Sequence, residues 1–133
     1  MRYLTLEEAL VIAEEVTGVQ AGVLAKASRI DLLDSALHAP QAGFGDQDLY
    51  PEFTDKAAVL LWRIARNHSL PDGNKRLAWQ SLTMFCVLNG HEFEVPADDA
   101  VAAVLAIAAG EWDEAQTARW ISDYLDKGPP INP

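Results

Sequence analysis

Nine consecutive residues, His68-Ser69-Leu70-Pro71-Asp72-Gly73-Asn74-Lys75-Arg76, bring together a base, a carboxylate, a glycine turn and two cations. A histidine can take a proton from a hydroxyl near neutral pH. Asp72 offers the kind of carboxylate through which magnesium is held while it bridges phosphate oxygens. Gly73-Asn74-Lys75-Arg76 opens a helix, where unpaired backbone N–H groups and the positive helix end favour phosphate or carboxylate. Glycine lets a ligand approach the backbone closely, and Lys75 and Arg76 add charge-assisted bonds. The loop is not a Walker A motif, whose spacing is absent. Base, metal ligand and phosphate cradle within nine residues describe phosphoryl or nucleotidyl transfer. Two plainer readings stay open on spacing alone: Pro71-Asp72-Gly73 is also an ordinary turn and helix cap, and His68 serves equally as a helix C-terminal cap.

Charge sharpens the first reading. The chain has 20 acidic and 10 basic residues, a net charge of −10. Four of the ten cations, Arg63, Arg66, Lys75 and Arg76, fall within fourteen residues that hold one acid, Asp72. Residues 91–133 hold nine acids and two bases. A local positive focus on a negative molecule points to a bound anion.

The elements that must position this segment read as helices. Thr5 and Glu8 form a capping-box pattern ahead of Leu6, Leu10, Ala13 and Val16. Gly18 and Gly22 punctuate the next segment, and a short helix runs from near Asp31 to Leu37, before Pro40. Residues 40–51, PQAGFGDQDLYP, show no helical period and form a long irregular stretch, more often functional than idle. Thr54 is placed to cap a third helix through Ala57–Ala65, and a fourth opens near Asp72 or Gly73 and stops at Asn89-Gly90. Both are apolar over most of their circumference, the mark of core helices. His91 to Val95 alternates like a short strand or extended connector. Helices about Asp99–Ala109 and Asp113–Leu125 complete an all-α single domain over residues 1–126, with a disordered tail over 127–133.

Composition bounds the rest. A chain of 133 residues, 50% hydrophobic and 23% charged, is long enough for one domain with its own core. Its negative charge argues against direct nucleic-acid binding and against docking on anionic membranes. A single cysteine, Cys86, allows no internal disulfide, so the expected compartment is a reducing cytoplasm. Cys86 sits among Met84, Phe85 and Val87 and reads as core, and the four scattered tryptophans read as packing. His38 and His91 have no ligand-spaced partners, which makes a zinc site improbable.

The segment His68 to Arg76 resembles the signature of the Fic/Doc superfamily, in the variant carried by death-on-curing (Doc) toxins. The similarity extends to residues 28–37 (SRIDLLDSAL), to residues 40–45 (PQAGFG) and to Asp48-Leu49-Tyr50-Pro51. It covers most of the chain from Thr5 to Gly90. The resemblance implies a compact all-α helical bundle whose motif loop joins two central helices. It implies a bacterial cytoplasmic toxin that uses ATP and Mg2+, modifies a translation protein and is paired with a small antitoxin, Phd-like or other. By position, His68 matches the catalytic base, Asp72 the acidic metal-linked residue, Gly73 and Asn74 the anion-hole turn, and Arg76 the phosphate-binding arginine. Gln41, Ala42, Gly43, Phe44 and Gly45 match the flap that aligns the target segment by strand addition.

Departures from the pattern HPFxxGNGRxxR bear on the reaction. Ser69 replaces Pro, Leu70 replaces Phe, Lys75 replaces the second Gly and Trp79 the last Arg. A side chain at Lys75 blocks the close approach that glycine permits and adds a cation. In Doc-type members this lysine goes with a reversed nucleotide and transfer of the γ-phosphate to a hydroxyl of elongation factor Tu, which halts translation. Protein kinase activity, with Lys75 joining His68, Asp72 and Arg76 in the site, is therefore expected over AMP transfer. A catalytically idle antitoxin-binding module is the other alternative. No self-inhibitory (S/T)xxxE(G/N) helix has a convincing location, so control is expected from an antitoxin, whose basic segments would suit the acidic surface.

Overall fold

The computed structural model describes residues 1–127, so the expected tail lies outside the described residues from position 128 onward. Helix α1 (Leu6–Thr17) begins with the expected capping box. The Thr5 hydroxyl accepts from the Glu8 N–H at 3.2 Å, and the Glu8 carboxylate accepts from the Thr5 N–H at 2.9 Å. It ends at Gly18, in the left-handed region at φ +75°. The next helix, α2 (Ala21–Ala27), was not anticipated from the sequence. It buries only Leu24, so it carries no periodic apolar stripe, and Gly22 lies inside it rather than breaking it. Helix α3 (Ile30–His38) buries Leu33, Ala36 and Leu37 and runs into a single 3-10 turn at Ala39–Gln41.

Residues 43–48 correct the irregular reading of the next stretch. Strands β1 (Gly43–Phe44) and β2 (Gln47–Asp48) pair antiparallel, Gly43 opposite Asp48 and Phe44 opposite Gln47. Two-residue strands are too short to show alternation, which hides the hairpin from a periodicity argument. Gly45, at φ +62°, opens the two-residue turn. Gly43 is needed for a different reason: a Cβ there would lie 2.6 Å from the Gln47 carbonyl oxygen.

Helices α4 (Phe53–Asn67) and α5 (Asn74–Leu88) form the centre and are joined by the loop from His68 to Gly73. Each is packed most heavily on the other, and α4 also lies along α7. Leu60, Leu61, Ile64, Leu77, Leu82 and Phe85 are all essentially sealed from solvent. Each such side chain stabilises the fold by roughly 1.5–3 kcal/mol relative to exposure. Two expectations need correction. The cap of α4 is Glu52, not Thr54, because Phe53 is drawn into a stack between Phe85 (centroids 5.0 Å) and His91 (4.0 Å), which starts the helix earlier. Helix α5 is not buried all round, since Met84 and Val87 face outward.

Helix α6 (Ala97–Ala108) and helix α7 (Glu114–Tyr124) close the bundle, α7 opening on an Asp113–Gln116 capping box. Residues 91–95 form no strand; Phe93 makes one antiparallel bridge to Leu125. Three of the four tryptophans, scattered in sequence, are gathered in space. Trp79, Trp112 and Trp120 share one cluster with Phe93 and Tyr124. Cys86 is buried, as expected. No helix among the described residues is long and apolar enough to cross a membrane.

Candidate active site

Every residue of the loop between α4 and α5 is either engaged in holding the turn or left free. His68 terminates α4 in the left-handed region, φ 51° and ψ 45°, an unusual conformation for a residue with a Cβ. That reversal turns the chain out of α4 and leaves the imidazole exposed. Ser69 and Leu70 then turn inward, 2% and 3% exposed. The Ser69 carbonyl accepts from the Arg29 N–H at 2.7 Å, tying the loop to the start of α3. The Ser69 hydroxyl is buried without a hydrogen-bond partner. Leu70 joins the core, where the family's phenylalanine would also be apolar.

Asn74 closes the turn. Its amide oxygen accepts from the Leu70 N–H and its amide nitrogen donates to the Leu70 carbonyl, both at 2.9 Å. The Asn74 side chain is therefore engaged with backbone, and Asn74 presents its own N–H at the helix end. Gly73 caps α5 at φ +87°, and a Cβ there would lie 2.9 Å from Thr17 Cγ2 on α1. Glycine is required both by conformation and by space. The first helical bond of α5 runs from the Leu77 N–H to the Gly73 carbonyl. The N–H groups of Asn74, Lys75 and Arg76 thus lie outside the helical ladder and converge at the positive end of a fifteen-residue helix.

The four-cation focus expected from the sequence divides in two. Arg66 donates from Nη1 to the Ile107 carbonyl at 2.9 Å and lies over the Trp62 ring, so it caps α6. Arg63 approaches Glu114 of α7 at 3.9 Å. Their spacing puts both on the face of α4 that meets α6 and α7, and both serve packing. Lys75 and Arg76 remain, exposed and with no ion pair or side-chain hydrogen bond among the described residues. Arg76 reaches back over the turn: its Nη2 lies 3.6 Å from where a Gly73 Cβ would be.

This chemistry suits the phosphates of a nucleoside triphosphate. Three free amides, two unpaired cations and a cradle that a Cβ would disturb all favour an anion. Asp72 is exposed beside them. No group of three or more His, Cys, Asp or Glu side chains able to hold a metal forms among the described residues. A lone carboxylate fits magnesium held jointly with phosphates and water rather than in an all-protein cage.

The flap residues Gln41, Ala42, Gly43, Phe44 and Gly45 form the 3-10 turn, β1 and the hairpin tip. Phe44 is 92% exposed there. Sequence reasoning missed what anchors them. Lys56, only 3% exposed on α4, donates to the Pro40 carbonyl at 3.0 Å and meets the Asp48 carboxylate at 3.4 Å. It thereby clamps both ends of the hairpin. Beyond it, the Tyr50 hydroxyl donates to Glu114 at 3.1 Å, and burial with that carboxylate pushes the phenol pKa up. A charged residue opening an apolar run was the one available signal for Lys56.

Comparison with known proteins gives the chain a family. The sequence model described as the Fic/DOC family matches residues 3–86, which include α1 to α4, the hairpin, the loop and most of α5. A protein named Toxin Doc, from Mycolicibacterium smegmatis, is 52% identical over 59 residues. That match covers 44% of this chain and 45% of the relative's own length.

Proposed function

The chain belongs to the Fic/DOC family, and from that premise we propose that it is the toxin of a toxin–antitoxin pair, acting as a Doc-like protein kinase. The observation that carries the reading is the opening of α5, where Lys75 and Arg76 stand unpaired beside three free amides. The kinship with a protein named Toxin Doc supports the biological role. The target is a hydroxyl side chain of a translation factor of the elongation factor Tu class.

ATP with magnesium would supply the γ-phosphoryl group when bound, ADP leaving as the new phosphate ester forms. The chain's own residues do the rest. His68, exposed at the loop's edge, takes the proton from the incoming hydroxyl as the oxygen becomes nucleophilic. Asp72 offers the carboxylate for the metal. The amides of Asn74, Lys75 and Arg76, with both cationic side chains, hold phosphate oxygens and stabilise charge that builds during transfer. The hairpin presents the β1 edge to an extended target segment, with Phe44 as an apolar contact. Lys75 stands where AMP-transferring members have glycine, which favours transfer of the terminal phosphate.

Label transfer into a bacterial lysate tests this directly, with ATP labelled at the γ- or the α-phosphorus and His68→Ala as control. Label from γ, lost in the variant, is the expected result. Label from α would replace the kinase by an AMP transferase. Cellular toxicity undiminished by His68→Ala would mark a protein-binding module instead. The antitoxin is expected to bind through basic segments, so its affinity should weaken as salt rises.

A further inference from the structure

Among the described residues, Lys56 is the one charged side chain sealed from solvent. A buried ammonium is costly unless its N–H groups find partners. Here the partners are the Pro40 carbonyl at 3.0 Å, the Asp48 carboxylate at 3.4 Å and the Tyr3 ring, 5.7 Å to its centroid. The next residues of α4, Ala57, Ala58 and Val59, are equally buried and apolar. An apolar side chain would pack at position 56 as well, since replacing a buried ion pair by one of like volume seldom harms a fold. Global stability therefore does not account for the cation. What it alone supplies is a joint between α4 and both ends of the hairpin.

The hairpin pairing shows what that joint controls. The Leu49 N–H donates to the Ala42 carbonyl at 2.9 Å, and Phe44 lies opposite Gln47. Bonded and non-bonded pairs alternate along an antiparallel ladder. The pair between these two, Gly43 and Asp48, is thus the non-bonded one, and its peptide groups point away from the partner strand. No further strand lies beyond β1 in this two-stranded sheet, and Gly43 is exposed. Gly43 therefore carries the free N–H and C=O on which an extended chain can pair. The residue opposite it, Asp48, is the one that Lys56 holds. Helix α4 carries Lys56 near its start and ends at His68, with Leu60, Leu61 and Ile64 sealed in the core between them. One firmly packed helix joins the pairing edge to the base.

We propose that Lys56 is a positioning residue for the protein substrate: it holds the free peptide groups of Gly43 in a fixed place relative to His68. An extended target segment then meets an edge that is already ordered. The inference rests on the strand-addition reading of the proposed kinase and adds to it the residue that makes the edge rigid. Without the clamp, the target must order the hairpin as it binds, which weakens target binding. Lys56 makes no hydrogen bond or ion pair with the His68–Gly73 loop or the opening of α5, so ATP should be unaffected.

Initial rates of γ-label transfer from ATP to purified elongation factor Tu, with each substrate varied in turn, separate these effects. In the full chain, Lys56→Met should raise the KM for the target about tenfold and leave kcat and the KM for ATP within about twofold of the parent. The Asp48 side chain is 57% exposed, so Asp48→Ala tests the clamp even where Lys56→Met fails to fold. It should raise the same KM by a smaller factor, and Asp48→Asn, which keeps an acceptor for the ammonium, should stay close to the parent. Adding Asp48→Ala to Lys56→Met should raise it no further, because the contact is already gone. A target KM unchanged by both Lys56→Met and Asp48→Ala would overturn the positioning role and leave the kinase standing. A loss confined to kcat would overturn it equally. No label on the target from the unaltered chain would overturn the kinase reading for this target class and the inference with it.

Discussion

The side chain of Asn74 grips the peptide of Leu70 by both ends, amide oxygen to N–H and amide nitrogen to carbonyl, each at 2.9 Å. One residue thereby fixes the loop on which His68 and Asp72 stand relative to the helix end that offers the amides. Asn74→Ala should leave two partly buried backbone groups unpaired and cost about 1–3 kcal/mol in urea unfolding. Asn74→Asp keeps one acceptor but sets a carboxylate against the Leu70 carbonyl, so it should not restore stability. Label transfer should fall in both.

Gly73 meets two separable demands, and a pair of substitutions tells them apart. Gly73→Ala must place a Cβ 2.9 Å from Thr17 Cγ2 and hold alanine at φ +87°. The conformational part alone costs about 1–2 kcal/mol. Thr17→Ser removes the offending methyl and keeps the hydroxyl that donates to the Ala13 carbonyl at 2.7 Å. The double variant should therefore be more stable than the sum of the single changes predicts, a coupling that urea midpoints will show.

Lys56 is a buried cation whose work is local. Lys56→Met fills similar volume without a charge to desolvate, so global stability should change little. The Pro40 carbonyl and Asp48 would both lose their partner, and the hairpin its clamp. Chymotrypsin cleavage after Phe44 should then accelerate several-fold while thermal unfolding stays near the parent value.

The junction of Asp126 with His91 and Glu92 predicts an acid dependence. The Asp126 carboxylate accepts from the His91 ring at 2.7 Å and from the Glu92 N–H at 2.9 Å, which lowers its pKa. A carboxyl depressed in the folded state stabilises the fold fully above its unfolded value of about 3.9. That contribution is lost as pH falls through the folded value. Asp126→Asn should flatten this limb of the stability–pH curve, as urea unfolding across the acid range will show.

Burial pushes the Cys86 thiol up to about 12, with Asp126 adding to the shift. The thiolate that alkylating agents attack is then absent near neutral pH. Iodoacetamide should leave the folded chain unmodified and label it at once in denaturant, as intact mass will record.

Local chemistry was legible in the residues themselves. The cap at Thr5 and Glu8, the opening of α5 at Gly73 and the central pair of helices all derive from spacing and periodicity, because each depends on contacts a few residues apart. The loop signature from His68 to Arg76 likewise carried its kinship, which the family match bears out. What the sequence could not decide is which polar groups are free. Arg63 and Arg66 read like Lys75 and Arg76 until α6 and α7, packing against α4 from far along the chain, engage the first pair and leave the second. The same holds for Lys56 beneath the hairpin, for Phe53 drawn into α4 by Phe85 and His91, and for Trp79 and Trp112 gathered around Trp120. Spacing along a chain sets what a side chain can offer; only the approach of distant elements determines whether that offer is taken up inside the fold or left for a ligand.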